Sequence, residues 1–387
     1  MEGFKAEASR ILAFWSERMI DHQYGGFYGR IDGENELHPD ANKGAVLNCR
    51  ILWTFAAAYR TFGSPTYLQV AERAFHYMLN YFVDKTYGGL YWELDAKGEV
   101  SETKKQIYAQ AFAIYGLTEF YLATSNAKAL KLAIDLFRLL ENYKDAHHGG
   151  YFEAFRRDWQ PLSDMRLSPK DANEKKSMNT HLHVLEAYTN LYRIWKDERL
   201  QRALRDLLVI FENKIVNPTS SHLNLFFDET WAVKSTSISY GHDVESAWLL
   251  LEAAAALDEP ALKEQIRVLA LNVAAAAQEG LQNDGSMIYE KTYTEIDTDR
   301  HWWVQAEAVV GFMYIYWTTH DARYLGFAEN LWAYIQSHLI DYASGEWFWS
   351  VNYKGQPNRD DDKAGFWKCP YHNGRMCLEM INNFEFE

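Results

Sequence analysis

The chain has 387 residues, of which 48% are hydrophobic and 16% aromatic, so it can bury a large core. Its formal net charge of −14 at pH 7 argues against a nucleic-acid partner. No apolar stretch reaches the roughly 18 residues of a membrane span, and the first residues lack the pattern of a signal peptide. Three cysteines without CxxC spacing fit a reducing compartment, so we expect a cytoplasmic protein. We also expect a monomer.

A small turn flanked by aromatic residues recurs six times at a spacing of about 60 residues. Five of the six turns contain glycine, and the fourth does not. Alternating aromatic residues after such a turn predict a short two-stranded ribbon. The six turns lie at 24–28, 87–92, 148–152, 222–227, 284–289 and 344–349.

Two kinds of helical pattern alternate with these turns. The helix before each turn is amphipathic, which predicts one exposed face. These helices are predicted at 4–19, 66–82, 127–143, 198–215, 261–279 and 322–340. The helix after each turn is apolar on nearly all sides, which predicts burial on all sides. These inner helices are predicted at 44–59, 104–121, 178–195, 242–257, 302–317 and 371–381.

Six buried helices alternating with six half-exposed ones predict an all-α fold, an (α/α)6 barrel with short β-ribbons at one end. An open solenoid is the alternative, but its end repeats need polar caps, and the last helix has the composition of an internal one. No linker rich in proline or serine divides the chain, so residues 1–387 are predicted to form one domain. The polar stretch 157–176 is predicted to be a loop.

Polar residues recur in the first turns of the buried helices. Each desolvated polar group needs a partner, so such a set at equivalent helix ends favours one shared site. The alternative is structural, because a lone buried histidine is usually a core residue and Arg50 with Glu186 could form an ion pair. The polar residues are Asn48, Arg50, Tyr108, Gln110, Asn179, His183, Glu186, His242, Glu245, Trp303, Glu307 and His372.

His242 and Glu245 lie three residues apart, about one helical turn, and so share a helix face. An imidazole titrates near neutral pH, and a neighbouring carboxylate tunes it and fixes its tautomer. The structural alternative is an ordinary polar first turn at a helix N-terminus.

The motifs narrow the chemistry. HExxH is absent, and a zinc site made by His183, His242 and His372 is possible but has no motif behind it, so we predict no metal. No glycine-rich phosphate loop is present, and we expect no cofactor. Acid–base chemistry by histidines on a ligand held by tryptophans remains. The carboxylates of Glu245 and Glu307 would also permit glycoside hydrolysis.

Four motifs carry a resemblance that spans most of the chain: KSMNTHLHVLEAY at 176–188, GHDVE at 241–245, WWVQAE at 302–307 and WKCPYHNGR at 367–375. Together they resemble the cellobiose 2-epimerase group of the N-acylglucosamine 2-epimerase family. The resemblance implies an (α/α)6 barrel that epimerises C2 of the reducing-end sugar of β-1,4-linked disaccharides, without a metal or nucleotide cofactor. Monosaccharide epimerases and mannose isomerases share the wider family and are the alternative.

The resemblance also implies roles for residues of this chain. His242 and His372 match the catalytic histidines, with His183 as a third, and Glu245 would orient His242. The residues that match the sugar site are Arg50, Tyr108, Asn179, Glu245, Trp248, Trp303, Glu307 and Trp367. In the mechanism expected from this match, His242 and His372 exchange a proton at C2 through an enediolate intermediate, and Arg50 stabilises the developing oxygen charge.

Overall fold

Twelve α-helices account for most of residues 2–383, which are the residues that the computed structural model describes. The amphipathic helices are α1 (Glu2–Arg18), α3 (Pro65–Tyr77), α5 (Ala127–Tyr143), α7 (Glu198–Ile210), α9 (Pro260–Ala277) and α11 (Ala322–Tyr334). The apolar helices are α2 (Ala45–Phe62), α4 (Ile107–Thr124), α6 (Met178–Ile194), α8 (Tyr240–Leu257), α10 (Trp302–Thr319) and α12 (Tyr371–Asn383). All twelve predicted helices are present.

Burial separates the two kinds of helix, as their sequences predict. Helix α4 is buried without interruption from Ile107 to Phe120. Helix α5, by contrast, buries only one stripe of small and apolar side chains, and Asn126 caps its first turn by accepting hydrogen bonds from Lys128 and Ala129. No helix within residues 2–383 combines the length and apolarity needed to cross a bilayer.

Three of the amphipathic helices end differently from the prediction of a continuous α-helix. Each changes into one π-helical turn, at Met78–Phe82, Phe211–Ile215 and Ile335–Leu339. A π-turn inserts one residue into the helical repeat and rotates the residues that follow it. The chain therefore leaves each helix in an extended conformation, at Val83, Val216 and Ile340.

The predicted ribbons are present as antiparallel strand pairs. The strands are β1 (Lys43–Gly44), β2 (Glu93–Leu94), β3 (Val100–Glu102), β4 (Lys105–Gln106), β5 (Ala154–Phe155), β6 (Lys176–Ser177), β7 (Phe226–Phe227), β8 (Ile238–Ser239), β9 (Glu290–Lys291), β10 (Ile296–Asp297), β11 (Arg300–His301) and β12 (Ser350–Val351). The sheets are β1-β2-β3, β4-β5, β6-β7, β10-β9-β8 and β11-β12.

The strand partners differ from a simple ribbon closed by the glycine turn. Single bridges close several of the turns, such as Val83 with Leu90 around Gly88 and Gly89. Both glycines have positive φ, +73° and +71°, which residues with a Cβ rarely adopt. The longer pairings join each strand before an inner helix to the strand after the next turn, so successive repeats are linked.

The chain divides into two compact units. The first contains Met1–Asn173, Ser344–Glu346 and Arg359–Glu387, and the second contains Glu174–Ala343 and Trp347–Asn358. In the first unit α2 packs against α3, α4 and α12, and α1 packs against α12. In the second unit α8 packs against α6, α9 and α10, and α10 packs against α11. The single domain stays a prediction.

Buried ion pairs fix the short strands that precede several inner helices. In the first unit Lys43 Nζ lies 2.6 Å from Asp21 Oδ2, and Lys105 Nζ lies 3.0 Å from Asp84 Oδ2. Asp84 also accepts a hydrogen bond from the Nε of Arg157 at 2.9 Å. These carboxylates bind the backbone of the adjacent glycine turn as well, so each pair fastens a turn to the start of an inner helix.

Candidate active site

In the first unit, Arg50 on α2 is a buried cation among aromatic rings, 3% exposed. Its guanidinium donates hydrogen bonds to the hydroxyl of Tyr108 at 2.7 Å and to the carbonyl oxygen of Trp367 at 3.2 Å. It also lies 4.3 Å from the ring centre of Phe112 and 4.9 Å from that of Tyr371. Guanidinium and ring faces attract each other, so Arg50 is held rigidly.

The Nε atom of Arg50 is buried and has no hydrogen-bond partner among residues 2–383. Tyr108 and Trp367, two predicted sugar-site residues, meet edge to face with their ring centres 6.1 Å apart. The structure therefore brings together all three of the predicted sugar-site residues that belong to this unit.

His372 is the second residue of α12, is 6% exposed, and packs its ring 4.7 Å from that of Tyr371. A buried carboxylate, Glu346, anchors the chain on both sides of this histidine. It lies 3.1 Å from Lys368 Nζ and accepts a hydrogen bond from Asn373 Nδ2 at 2.6 Å. Burial lowers the pKa of Lys368 despite this partner. The backbone that carries His372 is therefore fixed from both directions.

In the second unit, His183 and Glu186 on α6 form a buried pair, with His183 Nδ1 2.9 Å from Glu186 Oε2. A carboxylate can only accept, so Nδ1 carries the proton, and in the neutral ring Nε2 keeps its lone pair. Asn179 lies one turn earlier, and its Oδ1 atom is buried without a hydrogen-bond partner among the described residues. Of the three residues that the sequence places on one face of α6, Asn179, His183 and Glu186, the contact that the structure shows is the one between His183 and Glu186.

His242 lies in the first turn of α8, and its Nδ1 shares a hydrogen bond with the Oγ of Ser239 at 2.7 Å. Its ring packs 4.7 Å from that of Trp303 on α10. Sequence reasoning did not assign Ser239 a role, although a serine just before a helix is a typical N-terminal cap. Orientation of His242 by Glu245 stays a prediction.

A buried carboxylate pair lies on α8 and α10. A carboxylate oxygen of Glu245 and one of Glu307 lie within 4.8 Å of each other. The indole nitrogen of Trp248 donates to Glu307 Oε2 at 3.1 Å, and both side chains are buried. Trp248, predicted to contact sugar, therefore fixes a carboxylate in this structure.

The predicted site residues thus form local groups within each unit. His372 belongs to the first unit and His242 to the second, so their expected opposition across a sugar carbon stays a prediction. The groups available are imidazoles held by fixed partners, a fixed guanidinium, carboxylates and indole faces. Such a set suits proton transfer and charge stabilisation on a polyhydroxylated ligand.

Comparison with known proteins agrees with this chemistry. The sequence profile of the N-acylglucosamine 2-epimerase (GlcNAc 2-epimerase) family matches residues 26–374. A cellobiose 2-epimerase of Bacteroides fragilis is 53% identical over 97% of both chains. A cellobiose 2-epimerase of Dictyoglomus turgidum is 37% identical over 98% of this chain and 97% of its own.

Among solved structures, the cellobiose 2-epimerase of Bacillus thermoamylovorans is similar with a TM-score of 0.95 and 41% identity, over 99% of this chain and 98% of that chain. The chain belongs to the N-acylglucosamine 2-epimerase family, a family of sugar epimerases and isomerases. The predicted resemblance, the predicted enzyme class and the predicted (α/α)6 barrel fold are confirmed.

Proposed function

We propose that this protein inverts C2 of the reducing-end glucose in β-1,4-linked disaccharides, so that cellobiose becomes glucosyl-mannose and lactose becomes epilactose. The observation that carries this proposal is the 53% identity, over 97% of both chains, to a protein named cellobiose 2-epimerase. We further propose that it acts as a cytoplasmic monomer that needs neither a metal nor a nucleotide.

In the proposed mechanism the reducing sugar opens to its aldehyde, which acidifies the proton on C2. One histidine removes this proton and leaves an enediolate, and a second returns a proton to the opposite face. Groups with pKa values near neutrality suit this exchange because each serves as an acid in one direction and a base in the other. We assign the exchange to His242 and His372. The contact of its Nδ1 with the Ser239 hydroxyl holds the ring of His242 in one orientation.

Arg50 supplies the positive charge in this proposal. Its partners Tyr108 and Trp367 hold it in place before any sugar binds. A fixed donor aimed at a developing oxyanion is worth about 2.7–4 kcal/mol of barrier. His183, whose ring is oriented by the contact of its Nδ1 with Glu186, assists Arg50 at the same oxygen in this proposal. Trp303 and Trp367 would stack on the sugar faces.

The test is to incubate the enzyme with cellobiose and with lactose and to separate the sugars by chromatography. We expect one isomeric disaccharide from each, and incorporation of deuterium at C2 in deuterated water. His242→Ala and His372→Ala are expected to abolish that exchange while circular dichroism stays unchanged. His147→Ala, at an exposed histidine, is the control. Deuterium incorporation retained in either variant would remove that histidine from its role.

A glycosidase is the competing function that one observation favours, because the oxygens of Glu245 and Glu307 approach within 4.8 Å. Retaining glycosidases hold two carboxyl groups about 5–5.5 Å apart. That function predicts glucose release from cellobiose and its loss in Glu307→Gln, and the same chromatogram detects it. Conversion of mannose or N-acylglucosamine in place of disaccharides would point to the wider family's other activities.

A further inference from the structure

The segment just before an inner helix carries a cation in five of the six described repeats, and in four of these the cation lies on a strand. In the described residues these cations are Lys43, Lys105, Lys176, Arg300 and Lys368, and the first four stand two residues before their helix. Carboxylates pair with these cations, as Asp284 does with Arg300 at 3.1 Å and Glu346 with Lys368 at 3.1 Å. In the fourth repeat Ile238 stands at this position, two residues before α8.

A different ion pair fastens the fourth repeat. His222, in the turn without glycine, lies with its Nδ1 2.7 Å from Asp243 Oδ2 on α8. His222 is 3% exposed and Asp243 is fully buried. The other carboxylate oxygen, Asp243 Oδ1, accepts the backbone N–H of Leu223 at 2.9 Å. In the fourth repeat the turn is therefore attached to the helix by a titratable pair inside the first turn of α8, and the strand position before the helix is apolar.

The position of this pair matters because His242 directly precedes Asp243 in the chain. The same helical turn is tightly packed on its other side, where a Cβ at Gly241 would lie 2.7 Å from the ring of Trp303. The first turn of α8 is thus held through Asp243 by the 222–223 segment and through Gly241 by α10. His242, half-buried between these two neighbours, has little freedom to shift.

We propose that His222 is a positioning residue: with Asp243 it holds the first turn of α8 so that His242 meets C2 of the sugar. This inference rests on the proposed function for its catalytic consequence. It assigns a role to a histidine that no motif of the sequence identified, and it makes the reaction sensitive to the charge of a residue that does not itself touch the sugar.

The groups that surround His222 come from two elements, α8 and the 3-10 turn Gln278–Gly280 that follows α9. Asp243 faces its Nδ1, and Glu279 Oε2 in the 3-10 turn lies 3.5 Å from its Nε2. The ring of Tyr240 packs 5.9 Å away. Burial disfavours the imidazolium, but hydrogen bonding to Asp243 and the charges of Asp243 and Glu279 outweigh it and raise the pKa of His222 above 6.5. Burial raises the pKa of Asp243 above 3.8.

The sign of the pH dependence follows from the raised pKa of His222. The full ion pair is present below the unfolded-state value near 6.5 and is lost as the pH rises through the folded-state value. Above that pH a neutral His222 keeps its Nδ1–H bond to Asp243 but loses its attraction to Glu279. We therefore expect the pair to weaken on the alkaline side without breaking.

Two variants of His222 separate positioning from titration. Asparagine places an amide N–H where the Nδ1–H of His222 stands, but it cannot titrate. His222→Asn is therefore expected to keep kcat within about threefold. It is also expected to lose the fall of kcat at alkaline pH, the alkaline limb of the profile, that deprotonation of His222 causes. Leucine removes the donor, so His222→Leu is expected to lower kcat at least tenfold with KM within about twofold. A tenfold loss corresponds to about 1.4 kcal/mol.

Two further variants complete the experiment. Glu279→Gln, at a side chain 57% exposed, is expected to fold normally and to move the alkaline limb of the kcat–pH profile to lower pH. It therefore tests the proposal even if His222→Leu does not fold. Asp284→Asn is the control, because it removes the carboxylate that pairs with Arg300 in the fifth repeat. We expect it to leave the shape of the kcat–pH profile unchanged. Wild-type kcat and pH profile in His222→Leu, or an unmoved limb in Glu279→Gln, would overturn the proposal.

A substrate-free measurement keeps this test separate from the proposed function. In ¹⁵N-labelled protein the imidazole resonances of His242, assigned by their loss in His242→Ala, are expected to shift in Glu279→Gln and not in Asp284→Asn. If the wild-type enzyme converts no disaccharide, the proposed function fails, and this shift alone decides the positioning role. Unchanged His242 resonances would then contradict it.

Discussion

At the scale of single residues, Arg50 shows how a charge can be buried and still be used. Two fixed acceptors and two close aromatic rings hold the guanidinium, and its Nε stays without a partner among the described residues. A buried donor without a partner costs about 1–3 kcal/mol. A ligand oxygen that bonded this nitrogen would recover that energy, which fits a residue kept for a substrate.

Tyr108→Phe tests this arrangement because it removes only the hydroxyl that accepts from Arg50 at 2.7 Å. We expect the free energy of unfolding to fall by about 1–3 kcal/mol, since a second buried donor of Arg50 loses its partner. We also expect kcat/KM on cellobiose to fall about tenfold as the guanidinium gains freedom.

Urea denaturation and steady-state kinetics measure these two effects. Tyr293→Phe is the matched control, because that side chain is 89% exposed and should change neither quantity. Unaltered stability and kinetics in Tyr108→Phe would show that the hydroxyl is not needed to hold Arg50.

Residue types and helix starts in the sequence were sufficient to select Arg50, His183, His242 and His372, because polar groups are conspicuous in apolar helices. They were not sufficient to select His222 and Asp243, which are separated by a segment that contains β7 and β8 and meet only after folding. The available signal was the interrupted repeat, in which Ile238 replaces a cation and a buried acid appears one turn into α8.

At the scale of secondary-structure elements, the ion pairs between turns and strands are as important as the helices. Lys43 Nζ contacts Asp21 and also donates to the carbonyl oxygen of Gly25 at 2.8 Å. Removing one partner of a buried ion pair leaves the other charge uncompensated, which typically costs about 3–5 kcal/mol.

Lys43→Met is therefore expected to lower the free energy of unfolding by about 3–5 kcal/mol, and adding Asp21→Asn should restore part of the loss. Lys131→Met is the control, because its ion pair with Asp135 is exposed and contributes little. Urea titrations of the four proteins measure the effect. Equal losses in the single and double variants would contradict the ion-pair explanation.

The same pair also determines a pH dependence. Burial alone would raise the pKa of Asp21, but the hydrogen bonds from Lys43, Tyr24 and Gln23 outweigh it and lower the pKa below 3.8. The stabilisation is therefore complete above the unfolded-state pKa near 3.9 and is lost as the pH falls through the lower folded-state value.

Helix positions were predictable because composition alone separates the two kinds of helix: α5 begins and ends at the predicted residues, and α10 begins at the predicted Trp302. Strand partners were not predictable. Strands of two or three residues carry too little alternation to fix a register, and a strand that directly precedes an inner helix has its partner beyond the next amphipathic helix. The π-helical ends also lack a sequence signal that we can identify.

At the scale of the whole molecule, six repeats of one plan carry different chemistry at corresponding positions. The family assignment and the repeat count agree, and they confirm the fold class that the sequence predicts. The oligomeric state is the remaining prediction at this scale. Sedimentation equilibrium is expected to give the mass of a single chain, 45.1 kDa, at micromolar concentration. A mass of twice this value would contradict the monomer.

The antiparallel bridge between Ile31 and Ala364 has a consequence for biosynthesis. Ile31 leaves the ribosome early, whereas its partner emerges only when translation is almost complete. Until then the backbone groups of Ile31 must remain hydrated or find temporary partners. The first repeat of a nascent chain is thus the last to be completed, and a chain that stops before Ala364 cannot complete it.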